Sequence, residues 1–321
     1  MSFSLKVKEE LSGIISGARH CQLAELAALI GMCGRVYTTP AGKHYIMASS
    51  ENRGIIVKCH TIIRKAFGYD TDVSVKVNGD THNRTYSMAV MDSDTAIKIL
   101  MAAKLMDGDG SINRDMSLVS TIAISNMCCK RAFLRGAFLA GGSMSDPEKA
   151  YHLEIVTSGR KKAEQIAETA NAFELDAKIA LRRHYFVVYI KESSHIVDML
   201  NVMGAHVSLM ELENVRVLKE VRNSVNRKVN CETANLNKTV SAAVKQIEDI
   251  NYIKDKIGLD SLNEGLEQIA RLRLEYPDMP LKDLGEQLVP AVGKSGVNHR
   301  LRRISQIADD LRQKESREER K

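Results

Sequence analysis

The stretch Leu26-Ala-Ala-Leu-Ile-Gly-Met-Cys-Gly34 recurs in altered form as Leu134-Arg-Gly-Ala-Phe-Leu-Ala-Gly-Gly142, an offset of 108 residues. An internal repeat constrains a fold more than any single motif, because each copy is one supersecondary unit that must bury its apolar face against another. The register persists: Ser50-Glu-Asn-Arg53 returns as Ser158-Gly-Arg160 at the same offset, and Ala66-Phe67 returns as Ala172-Phe173. By Ser93–Leu100 and Ser193–Leu200 the offset has fallen to 100, a drift of the size that loops accumulate.

Each copy reads alike. An apolar helix (21–36; 128–143) leads to a strand (44–49; 151–156) and a second helix (52–67; 159–174). Two strands joined by polar turn residues come next, Val73–Val77 with Tyr86–Val90 and Ala177–Leu181 with Tyr185–Ile190, and a last helix closes the copy. The expected fold class is therefore α+β: two pseudo-symmetric αβαββα repeats, about 15–105 and 128–210, in one body spanning 1–210. Val73, Val75 and Val77 alternate with Ser74 and Lys76, which predicts a sheet with one buried and one wet face. On the wet face Lys76, Lys178 and Arg182 are candidates for a secondary nucleic-acid or partner contact.

Beyond residue 210 the strand signal stops. Residues 211–258 read as a helical basic connector, in which Arg216, Lys219, Arg222, Arg227, Lys228, Lys238 and Lys245 meet only Glu220 and Glu232 between 216 and 245. A solvated helix face is the ordinary meaning of such a run. Asn is a poor helix former, however, and Asn223, Asn226 and Asn230 recur at helical spacing beside Arg222 and Arg227, so this stripe too is a candidate contact surface.

Gly258 marks the start of a third segment, 259–321, with Ser261 as the expected N-cap of a helix Leu262–Tyr276. Pro277, Pro280 and Pro290, three of the chain's five prolines, cut the next stretch into short helices. Leu281, Leu284 and Leu288 share one face of the first, and Val289–Gly293 turns the chain. The helix after it, expected to be capped by Ser295, carries an apolar stripe of Val297, Leu301, Ile304 and Ala308. This pattern is that of a helix-turn-helix. Lys294, Ser295, Asn298, His299, Arg300, Arg302, Arg303 and Gln306 are its candidate DNA contacts, able to donate to phosphates and base edges from the N-terminal part of the helix. The charged end is expected to fray past Leu311.

Charge and cysteine usage narrow the class. The net charge is only +6 and the pI about 8.9, so the distribution of basic residues carries more than their total. No apolar run approaches the roughly 20 residues of a membrane span, and charges in Met1–Glu10 interrupt any signal-peptide core, which points to a cytoplasmic protein. Six cysteines thinly spread over 321 residues read as reduced thiols. Cys59-His60 and Cys128-Cys129 lack the alternating spacing of a zinc half-site, so neither a metal nor another cofactor is expected. The nine histidines form no H-x-x-x-H pair, no G-x-S-x-G occurs, and neither a catalytic site nor a small-molecule substrate is evident.

The leading helices of the two copies resemble the LAGLIDADG motif of homing endonucleases. That resemblance implies a pair of helices packed through small residues, here Gly31, Gly34, Gly136, Gly141 and Gly142, with an acidic metal ligand one position before each motif's last glycine. The corresponding positions are Cys33 and Gly141, neither able to supply the oxygen ligand a hard divalent cation needs, and Asp146 lies beyond the helix end. The whole chain in turn resembles the WhiA family of bacterial regulators. The similarity rests on the opening Ser2–Leu11, the two degenerate helices, Asn226-Arg-Lys-Val-Asn-Cys-Glu-Thr-Ala-Asn235 and Lys294-Ser-Gly-Val-Asn-His-Arg-Leu-Arg-Arg303. It implies an inactive endonuclease-like domain tethered to a helix-turn-helix that binds double-stranded promoter DNA at the nucleoid, with other transcription regulators or RNA polymerase as further partners. It also implies roles in cell division, chromosome segregation and, in spore formers, sporulation. A metal-dependent endonuclease using acids outside the motif and a protein-interaction scaffold are the competing expectations.

Overall fold

The structure, a computed structural model, describes residues 1–77, 84–106, 112, 119 and 123–318. By density of internal contacts the chain divides into two compact units, Met1–Lys219 and Glu220–Lys321.

The first unit opens with α1 (Phe3–Gly13), capped by the Ser2 hydroxyl, which accepts from Leu5 N. The first copy of the repeat is α2 (Arg19–Cys33), β1 (Gly34–Thr38), β2 (His44–Ser50), α3 (Arg53–Phe67), β3 (Asp72–Val77), β4 (Arg84–Val90) and α4 (Ser93–Ala102). The second is α5 (Met127–Gly141), β5 (Gly142–Met144), β6 (Leu153–Thr157), α6 (Arg160–Asn171), β7 (Lys178–Arg182), β8 (Tyr185–Ile190) and α7 (Ser193–Met203). Their antiparallel sheets have the same order, β1-β2-β4-β3 and β5-β6-β8-β7. The α+β repeat expected from the sequence is present, with one strand more per copy than the pattern suggested. Both leading helices stop sooner than expected because their chains turn straight into a strand at Gly34 and Gly142. A Cβ on Gly34 would lie 2.6 Å from Ile30 O, and one on Gly142 only 2.3 Å from Phe138 Cδ2, so the abrupt bend requires glycine at both places.

The helices α2 and α5 pack side by side along the middle of this unit, burying Leu26, Leu29 and Ile30 with Leu134 and Phe138. Gly136 sets the spacing: a Cβ there would lie 2.6 Å from the Glu25 carbonyl oxygen on α2. Gly141 is equally confined, by Met32 Cε and Val156 O. Gly142, by contrast, is demanded by its own helix end and not by the partner helix.

One expectation about the sheet fails. Val73, Val75 and Val77 are each more than half exposed, because β3 is an edge strand that the covering helices do not reach. The register still puts them on the core side, Val73 opposite Met88 and Val75 opposite Tyr86, and leaves Ser74 and Lys76 on the open face. In the second copy Ile179 and Leu181 are exposed at the equivalent edge strand.

The long helix α8 (His206–Ile257) begins in the first unit and ends in the second. There Ile250 and Ile253 join the core formed by α9 (Glu264–Glu275), α10 (Leu281–Glu286) and α11 (Lys294–Glu318). The expected stripe Val297, Leu301, Ile304 and Ala308 is fully buried in that core, as are Leu284 and Leu288. Two cap assignments need correction. Asn263, not Ser261, caps α9 by accepting from Leu266 N, while Leu259–Ser261 forms a single turn of 3-10 helix. Ser295 lies inside α11, whose first bond runs from Val297 N to Gly293 O. The helix also continues past Leu311 instead of fraying: Arg312 pairs with the buried Asp249 at 2.8 Å and lies over the Tyr252 ring, and Glu315 accepts from Tyr252 Oη at 2.7 Å and pairs with Lys256.

Candidate nucleic-acid interface

The turn between α10 and α11 is held by Val292 N donating to Gly285 O at 2.9 Å. A Cβ on Gly285 would lie 2.0 Å from Val292 O and 3.0 Å from Val297 Cγ2, so only glycine lets the turn close on α10. With its apolar stripe pinned inward, α11 presents its opposite side to solvent. Lys294, Ser295, His299, Arg302, Arg303 and Gln306 are all exposed there. The side chains of Lys294, His299 and Arg302 form no ion pair with a described residue, and Arg303 donates to Gln306 Oε1 at 3.1 Å. Asn298 is half-buried. Arg300 points away from this face, toward α9, where its guanidinium packs on Gly265 and donates to Gly265 O at 3.3 Å. Its wheel position, between the stripe and the open face, makes it a helix-to-helix contact.

In the connector, Arg222, Asn223, Asn226, Arg227 and Asn230 are all exposed. So are Val217, Leu218, Val221, Val225 and Val229 on a different side of the same helix. On the open sheet face Lys178 pairs with Asp176 at 3.0 Å and Arg182 with Glu154 at 2.9 Å. Burial opposes ionisation of Glu154, but hydrogen bonds from His152 and Ser143 and the Arg182 charge outweigh it and hold the carboxyl below its ordinary value. Lys76 is exposed and forms no ion pair with a described residue.

The ends of the central helices show what the nuclease-like unit cannot do. Burial pushes the Cys33 thiol up to about 11, and its S–H donates to Leu29 O at 3.0 Å, so position 33 holds a neutral donor at physiological pH. Position 141 has no side chain. Asp146 lies in the β5–β6 loop, its carboxylate accepting from Glu148 N at 3.0 Å as a turn residue does. No paired carboxylates stand at the two motif positions to hold a hydrolytic metal.

Two groupings escape a linear reading of the sequence. Glu25 on α2 is completely buried and forms ion pairs with Lys58 of α3 at 2.6 Å and Arg135 of α5 at 2.9 Å. Burial lowers the Lys58 amine from its ordinary value, opposed by the Glu25 charge, and Lys58 Nζ also donates to Leu11 O and Ile14 O, each at 2.6 Å. Arg135 adds bonds to Ser16 Oγ and Met203 O. The second grouping brings His20 and Cys21 beside Cys128 and Cys129. Spacing within either segment alone shows no zinc half-site, whereas the fold joins the two segments. The 108-residue offset was the available signal, since it maps His20 onto Cys128 and Cys21 onto Cys129.

A two-copy LAGLIDADG-like body without its metal-binding carboxylates, succeeded by a helix-turn-helix, defines a nuclease-derived regulator class. Comparison with known proteins sharpens this. The chain matches the WhiA N-terminal LAGLIDADG-like domain over residues 19–106, the WhiA LAGLIDADG-like domain over 130–222 and the WhiA C-terminal HTH domain over 225–308. It is 50% identical over 313 residues to a "Probable cell division protein WhiA" from Lachnoclostridium phytofermentans, covering 98% of this chain and 100% of that one. A second protein of that name, from Alkaliphilus oremlandii, is 49% identical over 316 residues, 98% of both chains. Among solved structures, full-length WhiA from Thermotoga maritima superposes with a TM-score of 0.59 at 26% identity, covering 97% of this chain and 99% of that one. The chain belongs to the WhiA family, and it is a regulator of that type with a degenerate nuclease-like domain.

Proposed function

We propose that this protein binds double-stranded promoter DNA sequence-specifically through α11 and thereby regulates cell division and chromosome segregation at the nucleoid. The observation that carries the reading is the exposed, largely unpaired set Lys294, Ser295, His299, Arg302, Arg303 and Gln306 on a helix whose other side is fixed in a core. Arg302 and His299 are the base-reading candidates, because arginine can bond guanine O6 and N7 in the major groove. Lys294 and Ser295 at the helix start suit phosphate, where helix-end amides add donors. The connector residues Arg222, Asn223, Asn226, Arg227 and Asn230 and the sheet lysine Lys76 supply a weaker, sequence-independent component. Residues 1–210 then act as a binding body, 211–258 as a tether and 259–321 as the reader. The relatives' printed role in cell division supports the cellular process. Other transcription regulators and RNA polymerase are the protein partners this reading calls for.

Genome-wide crosslinking of the full chain, with mobility shifts on the enriched sequences, tests the proposal. Enrichment at discrete promoters that is lost in Arg302→Ala supports it. Uniform coverage of the chromosome, unchanged by that substitution, overturns sequence-specific reading.

A further inference from the structure

We propose that His20, Cys21, Cys128 and Cys129 form a closed four-coordinate site for a zinc-class divalent ion that ties the N-terminal ends of α2 and α5 together. The four ligand atoms all lie within 4.8 Å of one another, and His20 Nδ1 is 3.1 Å from Cys129 Sγ, 3.4 Å from Cys21 Sγ and 4.0 Å from Cys128 Sγ. Zinc bonds of about 2.3 Å to sulfur and about 2.0 Å to nitrogen place tetrahedral ligand atoms about 3.5–3.8 Å apart. The three His20-to-sulfur distances bracket that spacing and no pair of ligand atoms exceeds 4.8 Å, so small side-chain rotations bring the four to a tetrahedron. Among the described residues this is the one group of three or more His, Cys, Asp and Glu with such geometry.

The fold builds the site symmetrically. His20 and Cys21 are the second and third residues of α2, and Cys128 and Cys129 are the second and third residues of α5. Each copy of the repeat therefore contributes two adjacent ligands from the first turn of its central helix. Neither helix start carries a side-chain cap bond, and the positive ends of both helix dipoles lie beside the cluster. Burial and the neighbouring thiols push Cys21 up to about 12 and raise Cys129, so it is the charge of the bound ion that draws off the thiol protons. Binding displaces three thiol protons to solvent and leaves His20 neutral, so three thiolates and a divalent ion carry one net negative charge between two positive helix ends.

The ligand chemistry selects the metal. Three sulfurs and one imidazole, with no carboxylate or carbonyl oxygen, suit zinc and reject magnesium and calcium. Four protein ligands leave no open position, which makes the site structural and not catalytic. It also stands about 18 Å along α2 from Cys33, at 1.5 Å per residue, so it does not restore the lost nuclease centre.

Metal analysis of the full chain, purified under reducing conditions without chelator, is the direct test. We expect about one zinc per chain, released by thiol-modifying reagent. Cys128→Ser and Cys129→Ser should each lose stoichiometric metal. His20→Cys should keep it, and cobalt in its place should show the intense visible bands of a tetrahedral thiolate site, shifted from those of the wild type. Chelation should lower the wild-type melting temperature and leave that of Cys128→Ser unmoved. A wild type that is folded by circular dichroism yet holds no zinc and takes up cobalt only in a pale, six-coordinate form would overturn the proposal. Iron with acid-labile sulfide, or zinc retained in the Cys128→Ser/Cys129→Ser double variant, would overturn it equally.

Discussion

The charged side chains at the centre of the first compact unit and those on α11 of the second point in opposite directions, the former into their own core and the latter into solvent. In the first, Glu25, Lys58 and Arg135 converge in the interior between α2, α3 and α5, and the sheet cations Lys178 and Arg182 are already occupied by Asp176 and Glu154. In the second, the apolar stripe of α11 is fixed inward and Lys294, His299 and Arg302 stand in solvent without ion-pair partners among the described residues. A surface whose cations are satisfied internally has little left to offer a polyanion, whereas one whose cations are held ready binds it at small reorganisation cost. The difference supports the proposed placing of recognition on α11: a buried charge cluster organises the nuclease-like unit, and the helix-turn-helix offers unpaired cations outward.

The comparison breaks first, and with the largest effect, at Glu25. Replacing it by Ala leaves two buried cations facing each other without their shared anion, and the first unit should lose about 3–5 kcal/mol. Leu301→Ala should cost the second unit about 2–5 kcal/mol through the cavity it opens beneath α11. Thermal denaturation combined with domain-resolved proteolysis separates the two. Glu25→Ala should expose residues 1–219 and Leu301→Ala residues 220–321. Loss of both units together in either variant would mean that their stabilities are coupled and that the contrast is false.

Legibility in the sequence divides along the same line. The stripe Val297, Leu301, Ile304, Ala308 could be read directly, because a single helix with 3.6-residue periodicity declares its buried face locally. The repeat was legible because offset comparison is itself non-local. Lys58 and Glu25 were not, since each looks like an ordinary helix-surface charge until α2, α3 and α5 are assembled. The short strands β1 and β5 are not legible because they succeed their helices directly, with no turn residue beyond glycine, so period and punctuation give no warning. Arg300 fell on the edge of the helical wheel, where an angle alone cannot tell packing on Gly265 from contact with DNA.

Within α11 the comparison can be sharpened residue by residue. Arg302→Ala should weaken a specific promoter by about 1–3 kcal/mol with a smaller loss on random DNA, as expected for a base-reading side chain, and His299→Ala should show the same pattern. Lys294→Ala should weaken both equally and make the salt dependence shallower by about one unit, because it removes one phosphate contact. Equal losses on both DNAs in all three variants would reassign this face to backbone binding alone.

The smallest effect tests the other half of the contrast. In an Arg302→Ala background, the residual sequence-independent affinity of the full chain reports on the connector and the sheet face. Lys76 has no ion pair with a described residue and sits on an edge strand, so Lys76→Ala should lower the salt slope by about one if that face touches phosphate. Arg182 must give up Glu154 at 2.9 Å to reach DNA, and losing a partly exposed pair of this kind offsets about 1 kcal/mol of what a phosphate contact gains. Arg182→Ala should therefore change the residual affinity less than Lys76→Ala does, while Glu154→Gln, by freeing Arg182, should raise it. A gain in Glu154→Gln would show that the nuclease-like unit is held back from DNA by its own acids. No change in any of the three would leave the connector at Arg222–Asn230 as the source of the residual affinity, and would make the first unit a body that binds no nucleic acid through its sheets.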